Sequence, residues 1–240
     1  MKNVLFKSIT FTVVLFLSIG AGYAQKVKGN GKTIEKTRNV GNFEGIGVSG
    51  SFDVFLVKGK EGRLDIRVEE NLEPYLITEV KDGSLKIKWK KGVNIKTTNT
   101  TVVTVHFESV NALALAGSGD IIAKDEIIAD NLGLAIAGSG DIKLSTKAGK
   151  IGAAISGSGD MELSGKSNHF EAKVAGSGDI DASDLVAEKA DLKISGSGSI
   201  ETNVQKEIVA RVSGSGDIRY KGNPEIEDTK VSGSGSIRAN

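Results

Sequence analysis

The residues with the most chemical potential are carboxylates set at a near-constant interval. Asp120, Asp141, Asp160, Asp179 and Asp217 each close a Gly-Ser-Gly-Asp tetrapeptide, while Ser199 and Ser236 close two further copies as Gly-Ser-Gly-Ser. Each of these aspartates follows a serine two residues earlier, namely Ser118, Ser139, Ser158, Ser177 and Ser215. Carboxylates stacked at a fixed spacing repel one another and need relief. Water, hydrogen bonds from serine hydroxyls or backbone N–H groups, raised pKa values and bound cations can each supply it. Calcium β-rolls, however, use consecutive nonapeptides, whereas the interval here is near nineteen residues. The expectation is therefore solvated, structural carboxylates and no metal site. The serines at 199 and 236 agree, because a dedicated ion site tolerates gaps poorly.

Other chemistry is sparse. The chain holds no Cys and only 2 His, which argues against haem, zinc clusters and thiol catalysis. His106 and His169 stand in different regions, with no Gly-x-Ser-x-Gly elbow anywhere. His106 alternates outward from Val105 and Phe107 and reads as a surface residue. No catalytic residue and no cofactor is expected. A phosphate-cradling reading of the glycines fails, since such a loop opens a helix and these tetrapeptides open strands. Lys+Arg is 31 against Asp+Glu 30, so no strong field draws in nucleic acid. Lys81, Lys86, Lys88, Lys90 and Lys91 form a basic stripe, read as a solvated strand edge that blocks aggregation, with contact to an anionic envelope polymer as the alternative. Trp89 and Tyr75 suit a packed core better than sugar stacking.

The elements that must position these groups follow from the repeat. Gly-Ser-Gly-Asp/Ser begins at residues 117, 138, 157, 176, 196, 214 and 233, at intervals of 21, 19, 19, 20, 18 and 19. Apolar residues flank each copy at even offsets: Leu115, Ile136, Ile155, Val174, Ile194, Val212 and Val231 before it, and Ile121, Ile142, Met161, Ile180, Ile200, Ile218 and Ile237 after it. Period two marks strands. One such strand cannot bury its apolar side alone, so successive coils must stack. The predicted fold is all-β, a right-handed parallel β-helix (β-solenoid) of ~19-residue turns. The paired glycines are Gly117 with Gly119, Gly138 with Gly140, Gly157 with Gly159, Gly176 with Gly178, Gly196 with Gly198, Gly214 with Gly216 and Gly233 with Gly235. They mark bends where the chain turns a corner or backbones approach closely. The Ser and Asp positions fall on odd offsets and form an outward binding face.

Residues 1–24 read as a cleaved signal peptide, with Lys2 and Lys7, an apolar run and Gly22-Tyr23-Ala24. The apolar run is short for a membrane span. Export without Cys means that disulfides do not hold the fold. Residues 25–37 are polar and read as a flexible segment. Residues 38–110 form a bulkier, wider N-terminal β cap holding one divergent turn: Ile46, Val48, Gly50, Asp53, Val54 and Leu56 match the repeat, with Phe52 in place of the second Gly. Asn71 to Tyr75 suggests one helical turn, and Asp82-Gly83 a hairpin. Residues 111–240 form the seven-turn solenoid, whose exposed last coil is free to pair end to end.

The tandem Gly-Ser-Gly-Asp turns, with Gly41-Asn42-Phe43-Glu44-Gly45-Ile46-Gly47-Val48 and Asp53-Val54 before them, resemble the head GIN domain family (DUF2807), whose members are named auto-transporter adhesins. The resemblance spans about residues 38–220. It implies an exported bacterial protein, a right-handed β-helix and a role in cell adhesion, and it supplies no catalytic residues. Only three residues follow Ile237, a length that predicts no membrane barrel after the coils. The reading is a non-enzymatic, adhesin-like or structural envelope protein presenting a flat repetitive surface to glycans, envelope polymers or another envelope protein. Two alternatives stand: a polysaccharide-active β-helix enzyme, which would set acids and bases unevenly on one turn, and a regulatory envelope component that binds a protein through its N-terminal half.

Overall fold

The computed structural model describes residues 25–240; the expected signal peptide lies outside them. The described chain is a β-solenoid with no α-helix. Five long strands, Ile127–Gly138, Ile142–Gly157, Met161–Gly176, Ile180–Gly196 and Ser199–Gly214, each wrap much of one coil and lie parallel to the next. Register is strict at the repeat. Leu113, Leu134, Ala153, Ala172, Leu192 and Ala210 stack, as do Leu115, Ile136, Ile155, Val174, Ile194 and Val212. All of these are buried, and so are Ile121, Ile142, Met161, Ile180, Ile200 and Ile218. The core is thus a set of columns of like aliphatic side chains, one per strand spacing of about 4.8 Å. Short side chains suffice because each coil is narrow and its neighbours supply the packing. Three register shifts, between Glu162 and Ser164, between Ala182 and Val186, and between Ala187 and Lys189, absorb the unequal repeat lengths.

The divergent turn is a coil of the same stack. Gly45–Gly50 pairs in register with Ala112–Gly117, and Phe52–Lys58 with Asp120–Ala123. The intervening chain does not continue the stack in sequence order. It passes to the far side of this coil, where Ser84–Trp89 lies parallel to Gly45–Gly50 and Thr101–Phe107 parallel to Phe52–Lys58. Antiparallel strands then seal that end. Arg63–Glu69 pairs with Thr101–Phe107 and with Thr33–Asn39, and Leu76–Lys81 pairs with Ser84–Trp89. The hairpin turns at Asp82 (φ 51°) and Gly83 (φ 69°), the left-handed pair that matches strand twist. Glu73–Tyr75 forms a single 3-10 turn. Phe43, Phe52, Leu72 and Phe107 are buried here, which gives the cap its wider core.

Two expectations change. The segment 25–37, expected to be flexible, is drawn into strands: Gln25–Lys28 runs parallel to Val93–Lys96, and Thr33–Asn39 runs along Arg63–Glu69. Backbone pairing along an open edge needs no apolar side chains, so composition carries little trace of it. The lysine stripe is also not an edge, because Ser84–Trp89 has a strand on both sides. Lys88 Nζ lies 2.7 Å from Glu79 Oε1, and Lys86 Nζ donates to Ser84 Oγ at 2.9 Å.

Candidate binding surface

Every coil turns a corner at its Gly-Ser-Gly. The first glycine of each copy sits at positive φ, for example 139° at Gly138 and 136° at Gly176. The second glycine plays a different part. Gly119, Gly140, Gly159, Gly178, Gly198, Gly216 and Gly235 are absent from the positive-φ set, so the bend itself does not require glycine there. Close approach does. A Cβ on Gly159 would lie 2.1 Å from Gly140 O, and one on Gly119 would strike the backbone of Phe52, which holds the equivalent place in the divergent turn. Gly198 meets Gly178 in the same way, Gly216 meets Gly198, and Gly235 meets Gly216. Between the two glycines Ser118, Ser139, Ser158, Ser177 and Ser215 are exposed, held there by backbone bonds such as Ser158 N to Gly138 O at 2.9 Å. The stacked corner therefore presents a column of hydroxyls.

The aspartates form a second column beside it, beginning with Asp53, which pairs in register with Asp120. From Asp120 onward, carboxylates accept a hydrogen bond from the backbone N–H one coil on. Asp141 N reaches Asp120 Oδ1 at 3.3 Å, Asp160 N reaches Asp141 Oδ1 at 2.9 Å, and Asp179 N reaches Asp160 Oδ1 at 2.9 Å. The serine positions use the same logic. Ser199 donates to Asp179 Oδ1 through both N (2.6 Å) and Oγ (2.9 Å), and Ser236 Oγ donates to Asp217 Oδ1 at 2.6 Å. The hydroxyl of Ser236 lowers the Asp217 pKa. Asp53 has no such relief: burial raises its pKa, the neighbouring Asp120 charge adds to this, and Arg67 opposes it. Asp120, Asp141, Asp160, Asp179 and Asp217 thus each commit one oxygen to the next coil. Among the described residues no three acidic or imidazole side chains converge as a metal would require.

A third zone adjoins the serine corner. On one face of the coils the outward positions are all small across four layers: Gly45, Gly47 and Ser49, then Ala112, Ala114 and Ala116, then Gly133, Ala135 and Ala137, then Gly152, Ala154 and Ser156. Lys86 and Lys88 border this patch at the cap end, and Lys173 borders it at the other. The resulting depression is shallow and open, and lined largely by apolar atoms. The serine and aspartate columns were expected from the sequence; this patch was not, although its signal is a small residue, Ala, Gly or Ser, at each odd offset before the corner.

Two clusters in the cap also escaped the sequence reading. Glu69 is buried, and its carboxylate accepts N–H bonds from Gly31 (2.6 Å), Thr98 (2.8 Å) and Asn99 (3.3 Å). Burial pushes its pKa up, but these donors together prevail and leave it lowered. Asp65 is gripped by Arg63, with Thr37 and His106 adding bonds, the latter at 2.9 Å, and its pKa falls to about 2. His106 is therefore partly buried and hydrogen-bonded to Asp65 rather than free on the surface. Trp89 packs on Phe52, ring centroids 4.9 Å apart, as core and not as a sugar platform.

Comparisons place this architecture among known proteins. The family model described as "Putative auto-transporter adhesin, head GIN domain" matches residues 42–224. A "putative adhesin" from Bacteroides fragilis is 26% identical, with TM-score 0.82, over 89% of this chain and 100% of that one. A "putative adhesin" from Parabacteroides merdae is 26% identical, with TM-score 0.78, over 90% of this chain and 100% of that one. A "Putative lipid binding protein" from Parabacteroides distasonis is 28% identical, with TM-score 0.74, over 90% of this chain and 100% of that one. No curated protein matches the sequence.

Proposed function

Because the chain belongs to the head GIN domain family, we propose that it is an exported, non-enzymatic, adhesin-like protein whose contact surface is the strip formed by the small-residue face, the serine corner and the aspartate column. The observation that carries this reading is the regularity of the strip. Hydroxyls and carboxylate oxygens recur once per coil, so a polymer with repeating hydroxyl and amide groups can meet equivalent donors and acceptors many times. Each contact is weak and exposed, and affinity comes from their number. The enzyme alternative calls for a cleft with an uneven group of perturbed acids and bases. The strongly perturbed carboxylate is instead Asp65, whose shift comes first from its exposed ion pair with Arg63 on the cap and not from an uneven acid-base group in a cleft. A lipid-facing reading is the second one. It draws on the alanine and glycine patch bordered by lysines, and on the relative named as lipid binding.

A glycan array probed with the purified protein, run beside vesicles of anionic and of zwitterionic phospholipid, tests both readings. The glycan reading expects capture of repetitive polysaccharides that weakens when Ser139, Ser158 and Ser177 are together replaced by Val. The lipid reading expects anionic vesicles to be bound, and Lys86, Lys88 and Lys173 changed to Gln to release them. Binding to neither would overturn the contact-strip proposal.

A further inference from the structure

The two ends of the solenoid are built differently. The cap end is sealed by antiparallel strands, and Leu72, Leu76 and Phe107 are buried there. At the other end Ile226–Gly233 and Ser236–Ala239 each have a strand on one side only among the described residues. All of Ile226–Gly233 is exposed. Val231 is 39% exposed although Val212, one coil earlier in the same column, is 3% exposed, and Ile226 is 57% exposed. The last coil thus leaves a row of free backbone donors and acceptors and an uncovered end of the core, the arrangement that recruits another strand.

We infer that this open end binds a second copy of the chain, with Ile226–Gly233 pairing antiparallel to its symmetry mate across a two-fold axis at Thr229. The residue pattern selects that register. In an antiparallel self-pair centred on Thr229, Asp228 of each copy stands opposite Lys230 of the other, and Glu227 stands opposite Val231. Opposite charges directly across a strand pair are favourable and like charges are not. The two Asp228–Lys230 contacts are the charge complementarity that names the occupant. Arg211, whose guanidinium already grips Asp228 from one coil below, holds that carboxylate in place at the edge. The interface is isologous, so it closes at two copies.

Sedimentation velocity of the purified protein across a concentration series tests this. The expected result is a monomer–dimer equilibrium with no larger species. Lys230→Glu should raise the dimer dissociation constant by roughly tenfold or more, because two attractive pairs become two repulsive ones. Asp228→Lys should do the same. Mixing the two variants should restore dimers, since the acids at positions 228 and 230 of one copy then face the lysines at positions 230 and 228 of the other. Circular dichroism confirms that each variant is folded, and the wild-type series stands by itself if one is not. A wild-type protein that stays monomeric, that forms open-ended polymers, or whose dimer is unaffected by Lys230→Glu overturns the inference, as does a mixture that fails to recover dimers.

Discussion

Replacing Gly178 by Ala probes the corner on which every coil depends. The added Cβ would lie 2.1 Å from Gly159 O and 3.0 Å from Ile155 Cγ2, where ordinary contact begins at 3.4 Å. The first obstacle is backbone in the coil below, so no rotamer change relieves it. The two coils must part by about an ångström or more, out of a spacing of about 4.8 Å. That strains bonds at the corner, among them Gly178 N to Gly157 O, already 3.2 Å, and Ser177 N to Gly157 O, 2.9 Å. Overpacking of this kind costs about 1–3 kcal/mol, and each weakened bond adds about 1 kcal/mol. The expected loss is therefore about 3–5 kcal/mol, a large part of the roughly 5–15 kcal/mol by which domains are stable. Gly152→Ala is the internal control. It lies on the same solenoid, has no heavy atom within 4 Å of a built Cβ and no positive φ, so it should be neutral or gain about 0.4–1 kcal/mol by restricting the unfolded chain. Urea unfolding followed by far-ultraviolet circular dichroism measures both. If Gly178→Ala is as stable as Gly152→Ala, or if both fall equally, the close-approach account of the corner is wrong.

Asp160→Ala should lose about 1 kcal/mol in the same assay, because it orphans the Asp179 N–H, whereas Asp160→Asn keeps an acceptor, sheds repulsion and should stay near wild type; equal losses would mean that charge and not acceptance matters. Thr202 is buried and its hydroxyl has no partner, so Thr202→Val should stabilise by about 1 kcal/mol, and a loss of stability would reveal an unseen bond. Glu69 has a folded pKa below the usual 4.5, so its contribution is present above that value and is lost as pH falls through the folded pKa. Amide hydrogen exchange at Gly31, Thr98 and Asn99 should accordingly lose protection on acidification below that folded pKa in wild type, and at neutral pH in Glu69→Ala; unchanged protection in both would remove the carboxylate from the account of the cap.

The coils were legible because sequence and geometry share one period there. Along the strands that lead into the first six Gly-Ser-Gly corners, even offsets are buried and odd offsets are exposed or partly exposed, so parity alone sorts Ile155 inward and Ser156 outward. The hairpin at Asp82-Gly83 was legible for a similarly local reason, its need for two positive φ values. The cap was not legible in the same way. Arg63–Glu69 and Ser84–Trp89 alternate just as the coil strands do, and alternation says nothing about which strand lies beside which, or in which direction. That information lies in contacts between residues far apart in sequence, such as Ile46 with Leu85 and Leu64 with Val105. Glu69 shows the limit most clearly. It stands at the end of an alternating strand like any solvated acid, and only the backbone of residues 31, 98 and 99 makes it a buried latch.

The aspartate column constrains any contact the strip makes. One oxygen of Asp120, Asp141, Asp160 and Asp179 is committed to an amide of the fold. A cation or glycan that drew on both oxygens would have to break a rung bond to gain each contact, and would weaken the scaffold that spaces the contacts. A partner that uses the serine hydroxyls and the free carboxylate oxygens gains the same repeat without that cost. Any contact made through the column thus favours hydrogen-bonding, neutral or amide-bearing groups over chelated metal ions, and favours them in numbers, because the same groups recur from coil to coil.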